Sequence, residues 1–67
     1  MFEEGQRVLV NSPYGTYRPI HGERGTFVRY LDFDSKREWA AVRFDSDSER
    51  VIHVWAWILE PEPKAEG

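Results

Sequence analysis

Cysteine is absent from this 67-residue chain, which removes disulfides, thiolate nucleophiles and cysteine-ligated zinc at once. Nor is there an apolar run approaching the ~20 residues that cross a bilayer as a helix. The opening residues Met1-Phe2-Glu3-Glu4 are acidic where a secretory signal is basic. The expectation is therefore a cytoplasmic protein without membrane contact. Internal repeats are missing, and no stretch supports a helix longer than one turn. The length leaves room for a single domain with a modest core, so a deep, water-excluded catalytic cavity is not expected.

A positive balance is also lacking. Net charge is −3; residues 1–44 hold seven Lys/Arg against six Asp/Glu, and residues 45–67 hold two against six. Because nucleic-acid affinity rests on neutralising phosphates, this distribution disfavours a general DNA or RNA binder. No Ser–His–Asp set, Gly-rich phosphate loop or metal-ligand spacing is present. His21 and His53 read as surface histidines, and Asp45-Ser46-Asp47-Ser48-Glu49 lacks the glycine and twelve-position pattern of a calcium loop. The sequence thus predicts no enzyme activity and no cofactor.

What is there is β-structure. Short runs rich in β-branched and aromatic residues, bounded by Gly or by Asp/Ser clusters at roughly ten-residue spacing, predict five strands closing as a small all-β barrel. Gly5 to Val10 is the first, with Val8 and Val10 inward. A long ordered loop over Asn11 to Arg24 contains Pro13, Gly15, Pro19 and Gly22. The second strand runs from Gly25 to about Asp32 with Phe27 inward, and Tyr30 joins that face only if a bulge shifts the pleat by one residue. Phe33 to Lys36 reads as a turn. Glu38 to Phe44 is the third strand, with Ala40, Val42 and Phe44 inward and Trp39, Ala41 and Arg43 outward. A solvated turn over Asp45 to Glu49 leads into the fourth strand, Arg50 to Val54, with Ile52 and Val54 inward. A single turn at Trp55-Ala56-Trp57 precedes the fifth, Ile58 to Glu60, with Leu59 inward. The domain is expected to span 1–60, followed by a disordered acidic and proline-containing tail over 61–67.

The long loop, the single turn before the last strand, and the phrases Gly5-Gln6-Arg7-Val8, Gly22-Glu23-Arg24-Gly25-Thr26-Phe27 and Val42-Arg43-Phe44-Asp45 together resemble the SH3-like barrel. Within that fold the chain is similar to the electron-transport-accessory type: the photosystem I peripheral SH3-like subunit, the variable chain of ferredoxin–thioredoxin reductase, and the barrel of the nitrile hydratase β subunit. Pro13-Tyr14-Gly15-Thr16-Tyr17-Arg18 followed by Arg24-Gly25 is similar to two elements of that last barrel, here more closely spaced. The resemblance implies a non-catalytic docking or accessory module. A frame-level likeness to type II dihydrofolate reductase runs through Val51-Ile52-His53-Val54 and Leu59-Glu60, but the Gln and Tyr of that enzyme's pore fall on Ile52 and Val54. Only the frame is shared with the reductase.

In an SH3-like barrel the long loop lies beside the start of the third strand and the single turn. Tyr14, Tyr17, Trp39 and Trp55 are therefore expected to converge on one exposed groove, with Arg18 at its rim, and to bind another protein. Aromatic clusters suit that purpose because they offer large area with few torsions to freeze. The competing reading is structural, with these rings capping the barrel ends. A stripe of Arg18, Arg24, Arg29 and Arg43 supplies the alternative of a KOW- or Tudor-like nucleic-acid module. With no long apolar edge strand in view and an acidic end, a monomer or weak dimer is expected.

Overall fold

A computed structural model describes residues 2–31 and 36–63. Five antiparallel strands form one sheet: β1 (Arg7–Val10), β2 (Arg24–Tyr30), β3 (Trp39–Phe44), β4 (Val51–Trp55) and β5 (Leu59–Pro61). Their spatial order is β4-β3-β2-β1-β5. The only helical pieces among the described residues are three-residue 3-10 turns at Arg18–Ile20, Asp45–Asp47 and Ala56–Ile58. Accordingly, no described helix is long and apolar enough to cross a membrane.

The sheet cannot be flat. Five strands spaced ~4.8 Å apart put the edges about 19 Å from one another, yet β4 and β5, the two edges, are joined through the turn Ala56–Ile58. Even fully extended, that connection reaches only about 14 Å, and a 3-10 turn is shorter still. The sheet therefore curls into a small barrel, with its ladder left open between β4 and β5.

The curl wraps one core. Val8, Val10, Phe27, Ala40, Val42, Phe44, Val54, Ile58 and Leu59 are buried together, eight of them at positions that alternation along the strands assigns to the inner face. Ile52 departs from expectation. It lies opposite Val42 and so faces inward, yet remains 36% exposed. β4 is an edge strand, and among the described residues no strand pairs with it on the side away from β3. The inner face is right for Ile52, but its depth is not.

The bulge in β2 is present. Phe27 pairs with Val42, the register then shifts, and Arg29 and Tyr30 pair with Ala41 and Ala40. Val28 is the extra residue, and the shift brings Tyr30 to the same face as Phe27. Their rings meet edge-on at 4.9 Å, Phe2 packs on Phe27 at 5.6 Å, and the Tyr30 hydroxyl accepts the Phe2 N–H at 3.0 Å. The N-terminal arm is thereby fastened to the barrel end.

At its other end the ordered chain runs past the expected boundary at Glu60. Pro61 pairs with Val8, and the Glu62 N–H donates to the Arg7 carbonyl at 3.1 Å. The Glu62 carboxylate lies 2.9 Å from Arg7 and 3.5 Å from Arg24. Proline is tolerated here because β5 is an edge. The expectation of a disordered tail thus fails at Pro61 and Glu62; residues 64–67, like the expected turn at Phe33 to Ser35 and the strand's end at Asp32, lie outside the described residues.

Candidate functional site

The long loop is built rather than loose. Gly22 N–H to the Val10 carbonyl and Val10 N–H to the Glu23 carbonyl, both 2.9 Å, continue the β1–β2 pairing into it. Gly15 and Gly22 both take positive φ, at 83° and 86°, where glycine has no Cβ to clash. Between them the 3-10 turn Arg18–Ile20 carries Pro19 inside its first turn, where the missing N–H costs nothing. His21 Nδ1 accepts the Ser12 N–H at 3.0 Å across the loop's neck. That role was not legible in the sequence, because it joins residues across a fold in irregular chain.

This scaffold sets Tyr17 against the barrel. Its ring packs on the core, and its hydroxyl accepts the Trp55 N–H at 3.3 Å. Trp55 lies directly across from Trp39. The neighbouring Ala56 N–H bonds to the Glu38 carbonyl at 2.7 Å, so Trp39–Trp55 is a non-hydrogen-bonded pair, the type in which side chains stand closest. The Trp57 ring follows at 6.3 Å from that of Trp55. Trp39, Trp55 and Trp57 are 38%, 43% and 74% exposed. A tryptophan surface thus crosses the ends of β3 and β4 and the final 3-10 turn.

Of the residues expected to converge, Tyr17, Trp39 and Trp55 do. Tyr14 is 85% exposed, and its ring enters none of the ring pairs found among the described residues. Arg18 opens the 3-10 turn and is exposed. Trp57 belongs to the surface and was missed, since a tryptophan inside a one-turn helix has no alternation to assign its face.

Trp57 also lines a groove of about 380 Å³, together with Phe2, Tyr30, Lys36, Arg37, Ala56 and Leu59. None of Tyr14, Tyr17, Arg18, Trp39 or Trp55 lines it. Arg37 sits 5.9 Å over the Tyr30 ring and has φ of 58°. That left-handed conformation is uncommon for a side-chain-bearing residue. The backbone cost is borne where the chain turns into β3, and the guanidinium is aimed at an aromatic face.

Several of the charged residues elsewhere pair with one another. The Arg7 guanidinium bonds both oxygens of Asp45 and reaches Glu62. These contacts hold the Asp45 carboxyl below its ordinary value and push the Arg7 guanidinium up. The expected solvated turn at Asp45 to Glu49 is present and exposed throughout; it opens as a 3-10 turn pinned at Asp45 by Arg7, at Ser46 by Glu23 and at Asp47 by Arg50. No cluster of His, Asp or Glu suited to a metal ion occurs among the described residues. Compared with known protein families, curated proteins and solved structures, the chain finds no match.

Proposed function

We propose that this chain is a non-catalytic accessory module of the SH3-like kind that binds another protein through its tryptophan surface. The observation that carries the reading is the grouping of Trp39, Trp55 and Trp57, all exposed, on a rigid strand pair and turn. Large rings held on regular elements lose little entropy on binding, which is why tryptophan dominates interface energetics. Support for the SH3-like assignment comes from the strand order, the long loop between β1 and β2, and the 3-10 turn before β5. Among the described residues, the groove beside Trp57 is lined by Lys36, Arg37 and apolar surface, with no carboxylate, histidine or hydroxyl besides that of Tyr30. That composition suits binding better than chemistry.

The nucleic-acid alternative is the weaker one, since Arg24 of the arginine stripe lies 3.5 Å from Glu62. The reductase-like alternative gains nothing from Ile52 and Val54, both apolar residues on the core face of β4.

Affinity capture from the native host with the parent and with Trp57→Ala and Trp55→Ala tests the proposal. A protein held by the parent should bind the variants about 30-fold more weakly, the equivalent of ~2 kcal/mol, while the Trp57→Ala melting temperature stays near the parent's. Undiminished binding by both folded variants would reject the surface. Capture of RNA or DNA with a steep salt dependence would favour the arginine stripe instead.

A further inference from the structure

We propose that the free edge of β4 pairs with the same edge of a second copy of this chain, antiparallel about a two-fold axis at Ile52. The argument begins with the backbone. Trp39–Trp55 is a narrow pair, so Ala41–His53 and Arg43–Val51, two and four residues along the same ladder, are narrow as well. Val51, His53 and Trp55 therefore turn their N–H and C=O groups away from β3. At Trp55 the outward N–H is taken by the Tyr17 hydroxyl. At Val51 and His53 the outward groups have no partner among the described residues, and both residues are exposed.

The contrast between the two edges of the sheet is informative. Natural edges are shielded by proline or charge against pairing with other chains. β5 and the two residues after it have both, with Pro61 and Pro63 and the carboxylates of Glu60 and Glu62. β4, reading Val-Ile-His-Val-Trp, has no proline and neither a carboxylate nor a lysine or arginine. Its Ile52 is an inward-facing apolar side chain left 36% exposed for want of a neighbouring strand.

Tyr17 selects the register. With the Trp55 N–H occupied, Val51 and His53 hold the remaining outward N–H groups of β4. The two-fold pairing that satisfies all of them sets Val51 opposite His53 of the second copy and centres on Ile52. Ile52 then meets its symmetry mate in a narrow pair, where Cα atoms lie ~4.5 Å apart and side chains are closest. The exposed apolar surface of each copy is covered by the other, and neither copy brings a like charge to the axis. The contact is short, far below the ~800 Å² per partner of a standard stable interface. The dimer is accordingly weak and populated only at high concentration. It leaves Trp57 and the groove beside it uncovered, so it stands independently of the protein-binding reading.

The absence of cysteine makes the register directly measurable. In Ile52→Cys the two thiols meet across the axis within disulfide reach. In Val51→Cys like positions lie diagonally, roughly 8 Å apart, beyond that reach. Mild oxidation of each folded full-length variant at high micromolar concentration should cross-link Ile52→Cys at least about tenfold faster than Val51→Cys. In parallel, sedimentation velocity of the parent should show dimer growing with concentration, and Ile52→Lys should abolish it while melting near the parent. Equal cross-linking of the two cysteine variants, no cross-linking of either, a parent that stays monomeric throughout, or a dimer that survives Ile52→Lys would each overturn the proposal.

Discussion

Single residues show where this fold has slack and where it has none. Phe44 is sealed in the core and Ile52 is not, although both face inward. Phe44→Ala should cost about 3–5 kcal/mol, the usual loss for a large buried ring. Ile52→Ala should cost under about 1 kcal/mol, because much of its apolar area never leaves water. Chemical denaturation of both variants checks the contrast, and equal losses would mean that Ile52 is buried. Gly25 is tight for another reason. A Cβ added there would meet the Arg43 carbonyl oxygen at 2.6 Å and the Phe44 Cα at 3.1 Å. Those are backbone atoms of the paired strand, which no rotamer change can move aside. Gly25→Ala should therefore lower stability by about 1–3 kcal/mol as an overpacking defect. A neutral result in the same denaturation assay would show that β2 and β3 separate freely at this point.

At the scale of elements, alternation carries most of the information. Val8 and Val10, Ala40, Val42 and Phe44, and Val54 and Leu59 were readable as inner-face positions because the strand period is two. The bulge at Val28 was readable only as a condition, since nothing in Thr26 to Tyr30 marks which residue is extra. The extent of β5 was misjudged at Pro61 because proline was weighed without knowing that the strand is an edge. In the candidate site, Trp39 followed from its strand, whereas Trp55 was assigned to the turn and reached the site only through the SH3-like resemblance, although it ends β4; Trp57 and the His21–Ser12 bond sit in irregular chain. The link between the long loop and β4 rests on the Tyr17 hydroxyl. Tyr17→Phe keeps the ring in place and removes the acceptor of the Trp55 N–H, so a loss of about 1 kcal/mol is expected. Amide exchange at Trp55 should quicken more than at Val54, and uniform exchange across β4 would show that the bond is not formed in solution.

The molecule as a whole is tied by contacts between residues far apart in sequence, which no local pattern announces. Arg7 bridges Asp45, 38 residues away, and Glu62, 55 residues away. Hydrogen bonds from Arg7 hold the Asp45 carboxyl below its ordinary 3.8. A carboxyl with a lower pKa folded than unfolded adds stability above the unfolded value, and that stability is lost as pH falls through the folded value. The melting-temperature gap between the parent and Asp45→Asn should thus be present from neutral pH down to about 4 and close in more acidic solution. It should be small and shrink with added salt, because the pair is exposed. A gap independent of pH would mean that the carboxylate's charge does not contribute.

The pairing of β1 with β5 also bears on how the protein is made. β1 lies between β2 and β5, and its second partner is the last strand along the chain, with Val8 opposite Pro61. During synthesis the first four strands emerge before Leu59 to Pro61 do, so the nascent chain passes through a stage in which β1 displays a bare edge of its own. A chain cut short before Leu59 would remain in that form once released, open to strand exchange with its neighbours.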